Sequence, residues 1–414
     1  MRALVISDTH LGAWTGRDLL AEEPFLERLA PALEGIDELI ILGDLYDFLF
    51  GSVAEAVAAS EGLLRLVAEL LAGRRVVFVP GNHDHHIVHR AAEDRLEARL
   101  AAGLVPDDER APVGEDVGPA SFRSFLEARL PGIEVEIAYP THTFAGVLCT
   151  HGHYLDPHAR QTGSRGDRLL TRTLWSIAAG GPEDPRTVDD YESITTLLTE
   201  WLYIAAQMPH GTEAQRNVFQ LARRAGRLAA LGKLPLRAAR ALGARLRARA
   251  DGAGGGLPSE EHFESAQRAE DERRRREEPA RRGEAGPAPA YPAATPVAPS
   301  DPAEHALAAF ATVVANLGWD READRIVFAH THQPLAGVRA PGGGRTRYWN
   351  TGSWIYEPDL RSRRAYARYL RHAWPGTAVV IDDEESAPRL LDLLADLNPL
   401  RSGPGLPPPG VRPT

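Results

Sequence analysis

The chain contains one cysteine, Cys149, and one lysine, Lys233, among its 414 residues. A single cysteine cannot form an intrachain disulfide, which fits a reducing compartment and excludes a disulfide-stapled scaffold. Lysine is nearly absent because 46 of the 47 basic residues are arginine. Together with the abundance of alanine and proline, this bias indicates genomic composition rather than function.

Long apolar runs are also missing. No window approaches the roughly 18 apolar residues of a membrane-spanning helix. The N-terminal sequence MRALVISDTH has neither the apolar stretch nor the small-residue cleavage site of a signal peptide. We therefore expect a cytoplasmic protein that is soluble or at most peripheral at a membrane. The net charge of −10 argues against a general nucleic-acid coat, so nucleic acid is not an expected partner.

Short β-branched runs alternate with helical patterns early in the chain. The runs at 2–7, 37–42 and 74–79 suit strands buried on both faces. The patterns between them, at 18–34 and 52–72, predict helices. Strand alternating with helix indicates βαβ units and a mostly parallel sheet.

Further strand-like runs occur later. The segments 133–139 and 143–150 predict a hairpin, which adds an antiparallel component. The remaining runs that we assign to the sheet system are 324–329, 346–352, 364–372 and 376–382.

The middle of the chain interrupts this pattern. We divide the chain into a core in two parts, a helical lid insertion, a disordered linker and a disordered tail. These segments are 1–160 and 304–400 for the core, 161–250 for the lid, 251–303 for the linker and 401–414 for the tail. The linker prediction rests on a composition of Gly, Pro, Ala, Glu and Arg that cannot bury enough apolar surface to offset its ordering entropy.

Two features of the lid bear on possible partners. Residues 216–249 contain ten basic residues and no acidic one. This pattern predicts peripheral membrane contact at an anionic lipid surface, a clamp for a phosphate-rich substrate, or solvated arginine-rich helices. The segment 191–208 carries an apolar stripe, which either docks on the core or contacts an apolar substrate.

Polar motifs directly follow five of the strand-like runs. They are DTH (8–10), GDLYD (43–47), GNHD (81–84), HGH (151–153) and HTH (330–332). Each motif alone is weak, because such residues are common in turns and helix caps. Their shared position after strands makes joint chance occurrence small. In open α/β sheets, sites form outside the carboxyl ends of strands, so these loops should converge.

The residue types in these motifs suit a dinuclear metal site. Carboxylate, imidazole and amide oxygen bind Mn²⁺, Fe or Zn²⁺, and we expect two divalent ions with Mn²⁺ favoured. Asp44 is the predicted bridge, because its two oxygens can each face one ion. The ligands of one ion are completed by Asp8, His10 and one histidine of HTH. The ligands of the second ion are completed by Asn82, His151 and the other histidine. We expect an extended segment to point residues i and i+2 the same way.

The ordered motif set resembles the calcineurin-like metallophosphoesterase superfamily over 1–154 and 322–385. The resemblance implies an α/β fold, namely an αββα sandwich of two mixed β-sheets flanked by helices, with a dinuclear metal centre. It implies a metallophosphoesterase, an enzyme in which a hydroxide held between the two ions attacks phosphorus in line.

The same resemblance assigns roles to individual histidines. It makes His332 a ligand of the ion that Asp8 and His10 bind. It makes His330 a ligand of the ion that Asn82 and His151 bind. These assignments agree with the grouping above and decide which histidine goes where.

His83 resembles the histidine of the superfamily that pairs with the second aspartate of GDxxD, here Asp47. A carboxylate behind the imidazole keeps it protonated, so that the pair stabilises the transition state or protonates the leaving oxygen. For His153 two roles stay open: orienting a ligand from behind, or touching the substrate phosphate.

The sequence GDLYDFLFG is similar to the branch of UDP-2,3-diacylglucosamine pyrophosphohydrolases, as are SDTHLG (7–12) and NTGSW (350–354). That branch normally has arginine at the position of His83. We therefore do not transfer the substrate of that branch, and expect more generally a small or lipid-linked phosphodiester or pyrophosphate. The alternatives are a nuclease or cyclic-nucleotide phosphodiesterase, and a non-catalytic scaffold of the same fold.

Several neighbouring residues have plainer expected roles. We expect Asp84 to cap the following helix. His85, His86 and His89 are expected to form a polar rim or helix start rather than a metal site. For the aromatic residues of 46–50, core packing is favoured over lining a cleft.

Overall fold

The computed structural model describes most of the two core segments and parts of the middle of the chain. The described residues are 1–13, 15–104, 112–114, 116–159, 182, 184–212, 257–277, 302–341, 344–360 and 362–401. The predicted basic stretch 216–249 lies outside them, and so does the predicted tail apart from Arg401.

The first sheet has the strand order β11-β10-β1-β2-β3-β4. Strands β1 to β4 run parallel, β10 pairs antiparallel with β1, and β11 pairs antiparallel with β10. The strands are β1 (Arg2–Ile6), β2 (Glu38–Leu42), β3 (Arg75–Val79), β4 (Glu134–Ile137), β10 (Thr377–Asp382) and β11 (Arg389–Asp392).

The second sheet has the order β5-β6-β7-β9-β8. Its central strands β6, β7 and β9 run parallel, and β5 and β8 add antiparallel edges. The strands are β5 (Thr141–Phe144), β6 (Val147–Thr150), β7 (Arg325–Phe328), β8 (Leu335–Val338) and β9 (Arg347–Asn350).

The two sheets pack face to face, and the period of two along each strand explains why. In β1, Val5 joins a fully buried cluster that also contains Val327 and Trp349 of the second sheet. Its neighbour Leu4 points the other way, into the cluster beneath the helices. Because alternate residues enter different layers, strands that are apolar throughout have both faces covered.

Helices cover the outer faces. The longer helices are α1 (Glu23–Leu33), α2 (Val53–Leu70), α3 (His86–Ala101), α4 (Ala120–Arg129), α6 (Val188–Gln207), α7 (Glu260–Glu277), α8 (Pro302–Leu317) and α10 (Arg363–His372). The short helices are α5 (Asp156–Ala159) and α9 (Trp319–Glu322), and 3-10 turns occur at Leu19–Ala21, His153–Leu155 and Ala395–Leu397. The first sheet packs on residues of α1, α2 and α4, whereas Phe310 of α8 stacks on Phe328 of the second sheet at 4.2 Å.

The predicted fold class is confirmed: two mixed sheets lie between helices. The predicted hairpin of 133–139 with 143–150 is wrong. Strand β4 pairs with β3 in the first sheet, and the hairpin is formed by β5 and β6. Its two-residue turn is Ala145-Gly146, with φ of 48° and 71°, which is the backbone that tight hairpins require.

Two further expectations fail. The segment 364–372 is part of helix α10 rather than a strand, because the side chain of Ser362 caps its first turn and Tyr366, Tyr369 and Leu370 bury one face. Helix α7 lies within the predicted disordered linker, so that prediction does not hold for 260–277. There Arg17 pairs with Glu270 at 2.7 Å and Ala266 is buried.

Among the residues that the structure describes, no helix has the length and apolarity needed to cross a membrane. The domain boundaries given above stay a prediction.

Candidate metal centre

The five motifs meet at one edge of the sandwich. They follow β1, β2 and β3 of the first sheet and β6 and β7 of the second, and each of these strands runs towards that edge. All seven predicted ligand residues come together there. Three sets of side chains at this edge are close enough to share an ion. Two consist of predicted ligands, namely Asp8 with His10 and His332, and Asp44 with His151 and His330. The third joins His10 and Asp44 with His83, which is not a predicted ligand.

The first group combines one buried carboxylate with two imidazoles. Asp8 Oδ1 lies 3.3 Å from His332 Nε2, and His10 Nε2 lies 3.2 Å from the same nitrogen. The other oxygen of Asp8 accepts hydrogen bonds from the Ser7 hydroxyl at 2.5 Å and from the backbone N–H of His330 at 3.2 Å. These bonds fix the carboxylate, so that Oδ1 faces the two histidines.

Asp44 lies between the two sides of the site. Its Oδ2 is 3.2 Å from His151 Nε2 and 3.8 Å from His10 Nε2. Its Oδ1 instead accepts a hydrogen bond from the backbone N–H of His83 at 2.8 Å, so the expectation that each oxygen faces one ion is wrong and Oδ2 lies between the two sides. Burial acts to raise the pKa of Asp44, but the positive charges of His151 and His83 outweigh it and hold that pKa well below its usual range. Asp44 is therefore a carboxylate at neutral pH.

The second group is arranged around His151. Its Nδ1 donates to the backbone oxygen of Leu42 at 2.9 Å, which directs Nε2 into the site. Nε2 is then 3.2 Å from Asn82 Oδ1 as well as from Asp44. His330 completes the group, and its ring centroid is 5.3 Å from that of His151.

These spacings fit a divalent cation. Ligand atoms about 2.1 Å from one ion, in tetrahedral or octahedral geometry, are about 3.0–3.4 Å apart. The separations of 3.2–3.3 Å between His332 and its two neighbours fall in this range. Moreover, Asp8 Oδ1 is buried and receives no well-aligned hydrogen bond, which is costly for a carboxylate unless a cation binds there.

The backbone at the ligands is unusual. Among described non-glycine residues with positive φ, five are predicted ligands: Asp8 (49°), His10 (49°), Asp44 (52°), His330 (68°) and His332 (55°). L-residues disfavour this region, and it recurs at functional sites. The expectation that DTH and HTH are extended is therefore wrong, although their side chains do converge. The chain turns at each ligand instead.

Two glycines allow the ligands to approach closely. A Cβ on Gly43 would lie 2.2 Å from His151 Nδ1, and a Cβ on Gly81 would lie 2.3 Å from Asp44 Oδ1. Both distances are far below van der Waals contact, so packing requires glycine at the first position of GDLYD and of GNHD.

We expect Gly43→Ala to destabilise the protein by more than the matched variant Gly35→Ala. Both glycines have positive φ (82° and 73°), but only Gly43 faces a neighbour, because nothing lies within 4 Å of a Cβ on Gly35. The shared backbone strain costs about 1–2 kcal/mol, and the overlap adds about 1–3 kcal/mol at Gly43. Urea unfolding measures both free energies. Equal losses would contradict the close approach.

His83 and Asp47 form an ion pair next to the ligand groups. His83 Nδ1 donates to Asp47 Oδ1 at 2.9 Å, and Asp47 Oδ2 lies 3.6 Å from His10 Nδ1. Burial acts to lower the pKa of His83, but the charges of Asp47 and Asp44 raise it to about 10. The imidazole is therefore a cation at neutral pH.

Asp84 does not cap helix α3, contrary to expectation. Its Oδ2 accepts from the N–H of Leu45 at 2.8 Å, and its Oδ1 accepts from the N–H of Gly81 at 2.6 Å. It thereby joins the GDLYD and GNHD loops. Burial, with the charge of Asp44, raises the pKa of Asp84 to about 7. The helix begins with no side-chain cap at His85.

Two carboxylates near the ligands were missed by the sequence reasoning. His330 Nε2 donates to Asp156 Oδ1 at 2.9 Å, and Glu357 lies 3.9 Å from His332 Nδ1. Such partners orient metal-binding histidines. Asp156 stands five residues after His151 in HGHYLD, but nothing in that spacing indicates which histidine it contacts.

A buried polar network joins helix α6 to the same loops. Glu192 accepts a hydrogen bond from His85 Nε2 at 2.7 Å and from the hydroxyls of Tyr139 and Tyr154. His153 is buried beside them, with Nε2 3.3 Å from the Tyr139 hydroxyl. Burial, together with the charge of His151, holds the pKa of His153 well below its usual value, so its ring is neutral.

The histidines at 85 and 86 and the aromatic residues of 46–50 match their expected roles only in part. His85 is fully buried and so is not part of a rim, whereas His86 begins α3 and pairs with Glu200 at 2.7 Å. Tyr46 and Phe48 are core residues. Phe50 is half-buried, with its ring 5.5 Å from that of His83.

Comparison with known proteins matches residues 1–200 to the family model described as calcineurin-like phosphoesterase. The matched stretch contains the first four motifs, and HTH joins the site from beyond it through β7. A search of curated proteins found no match to this chain.

Proposed function

We propose that the chain hydrolyses a small or lipid-linked phosphodiester or pyrophosphate at a two-metal site, because residues 1–200 match the calcineurin-like phosphoesterase family model and the motif side chains form candidate metal clusters. The observation that carries this proposal is the position of Asp44 Oδ2, within 3.8 Å of His10 on one side and 3.2 Å of His151 on the other. A single carboxylate between two ligand groups is the arrangement that a pair of ions needs.

The proposed ligands divide into two sets that share Asp44. Asp8, His10 and His332 would hold one ion, and Asn82, His151 and His330 the other. Bound there, the ions would lower the pKa of a water nucleophile and neutralise charge on the phosphoryl oxygens. For a site of carboxylate, imidazole and amide oxygen we propose Mn²⁺, with Fe or Zn²⁺ as alternatives.

In this proposal His83 acts on the substrate directly. Its Nδ1 is engaged by Asp47, so Nε2 is the nitrogen that can reach a phosphoryl or leaving-group oxygen. As a cation it would stabilise the developing negative charge and give its proton to the leaving oxygen. Asp47 positions the ring and keeps it charged.

The apolar surroundings support a substrate with an apolar part. The half-buried ring of Phe50 lies beside His83, with the two ring centroids 5.5 Å apart. Similarity to the UDP-2,3-diacylglucosamine pyrophosphohydrolase branch remains a proposal, and His83 in place of arginine argues against transferring that substrate. The acidic net charge of −10 weighs against a nuclease, and the complete ligand set weighs against a scaffold.

Hydrolysis of bis-p-nitrophenyl phosphate and p-nitrophenyl phosphate tests the proposal. We expect metal-dependent release of p-nitrophenol that stops with EDTA and returns with Mn²⁺, with preference for the diester. Metal content measured on the same sample serves as the control. Protein that holds two ions and cleaves neither compound would contradict a phosphoester hydrolase, and preference for the monoester would contradict the diester assignment.

A further inference from the structure

Helix α6 exposes a row of large apolar side chains. Leu197, Trp201, Ile204 and Met208 are 54%, 65%, 57% and 60% exposed. Their spacing of three to four residues places them along one face of the helix and its C-terminal end. We call these four residues the α6 stripe.

The two charged residues nearest the stripe point the opposite way. Between 193 and 208 the sequence has one charged residue, Glu200, and it pairs with His86 at 2.7 Å. Glu192, one turn before the stripe, is buried against His85. The stripe therefore has no acidic or basic side chain within it.

A surface helix normally turns its apolar face to the core and its charges to water. Helix α6 does bury Tyr191 and Ile194 against the core. It differs in that two carboxylates also face inwards while the stripe faces outwards. Because the ion pairs of Glu192 and Glu200 fix the rotation of the helix, the stripe cannot turn inwards without leaving buried charges unpaired.

The sequence that follows the stripe indicates what covers it. Residues 216–249 begin eight positions after Met208 and carry ten basic residues and no acidic one. An apolar stripe that is followed in the sequence by concentrated positive charge is complementary to an anionic lipid surface.

We propose that the α6 stripe inserts into the interface of an anionic lipid bilayer and holds the protein there peripherally. The helix also borders the candidate metal centre: Gln207 Nε2 donates to the backbone oxygens of Phe48 and Gly51, and Tyr203 stacks on His86 at 3.6 Å. A bilayer bound at the stripe would thus lie on the other side of α6 from the loop that carries Asp47 and Phe50, one helix diameter (~10 Å) away.

Vesicle flotation tests the stripe without any assay of catalysis, so its outcome is independent of the proposed hydrolysis. We expect the full chain to float with phosphatidylcholine vesicles containing about 30% phosphatidylglycerol and to float poorly with phosphatidylcholine alone. The double variant Trp201→Gln, Ile204→Gln should bind the anionic vesicles about tenfold more weakly.

The matched control is Leu100→Gln with Leu104→Gln, because these leucines are 56% and 55% exposed but lie at the end of α3, outside the stripe. It should bind like the wild type, and circular dichroism should show both variants folded. Equal binding by all three proteins, or no binding by the wild type, would overturn the proposal. A wild-type dimer that becomes monomeric in the stripe variant would assign the stripe to a second copy instead.

Discussion

Replacing Asp44 by asparagine is expected to lower kcat/KM for phosphodiester hydrolysis by about a thousandfold or more, which corresponds to about 4 kcal/mol of transition-state stabilisation. The reason lies in how the side chain is held. Oδ1 accepts a hydrogen bond from the N–H of His83, and the asparagine oxygen can keep that bond. The amide NH₂ would then replace Oδ2, which faces His10 and His151, and an NH₂ group cannot bind a cation.

Metal content and steady-state kinetics should be measured together for this variant. We expect it to lose at least one of two bound ions while remaining folded. The matched control is Asp324→Asn, because Asp324 is exposed at the opposite end of β7 and should leave kcat/KM unchanged. If Asp44→Asn retains activity within tenfold of wild type, Asp44 does not bridge two ions.

Replacing His83 by asparagine is expected to lower kcat by about a hundredfold to a thousandfold without loss of metal. Asparagine can still donate to Asp47, but it carries neither the positive charge nor the proton that the leaving oxygen would receive. The loss should therefore be larger for a diester with a poor leaving group, such as an alkyl phosphate, than for the p-nitrophenyl diester. An equal loss on both would show that His83 does not protonate the leaving oxygen.

The pH dependence of kcat gives an independent check on His83. Its pKa is raised to about 10, so the proton-donating form is present below that pH and is lost as the pH rises through it. Asp47→Asn removes the largest of the charges that raise this pKa. The alkaline limb of the profile should move to lower pH in this variant, and an unmoved limb would assign that limb to another group.

The parts of the fold that sequence predicts well are those that local pattern determines. The strands β1, β2, β3 and β7 are apolar after their first residue, as expected where both faces of a strand are covered, and each ends at a polar motif. Because parallel strands end at one edge of a sheet, the position of each motif after a strand was enough to predict that the seven ligands lie together.

The features that sequence did not indicate depend on partners distant in the chain. Asp84 bonds to Leu45, and Glu192 to His85 across 107 positions. The segment 364–372 was assigned to the sheet system, although the spacing of Tyr366, Tyr369 and Leu370 is that of one helix face. What the sequence did not indicate is the partner of that face, since Tyr366 packs on Phe263 of α7 about 100 positions away.

The positive φ values at the ligands affect how such a site would be lost by mutation. Each left-handed turn at Asp8, His10, Asp44, His330 and His332 costs up to about 1–2 kcal/mol relative to glycine, which adopts that backbone freely. Together these turns cost an amount similar to the whole stability of a small domain. Once catalysis no longer constrains the sequence, mutation to glycine at these positions would stabilise the fold while deleting a ligand. Descendants that abandoned the chemistry should therefore carry glycine at these positions before their cores change.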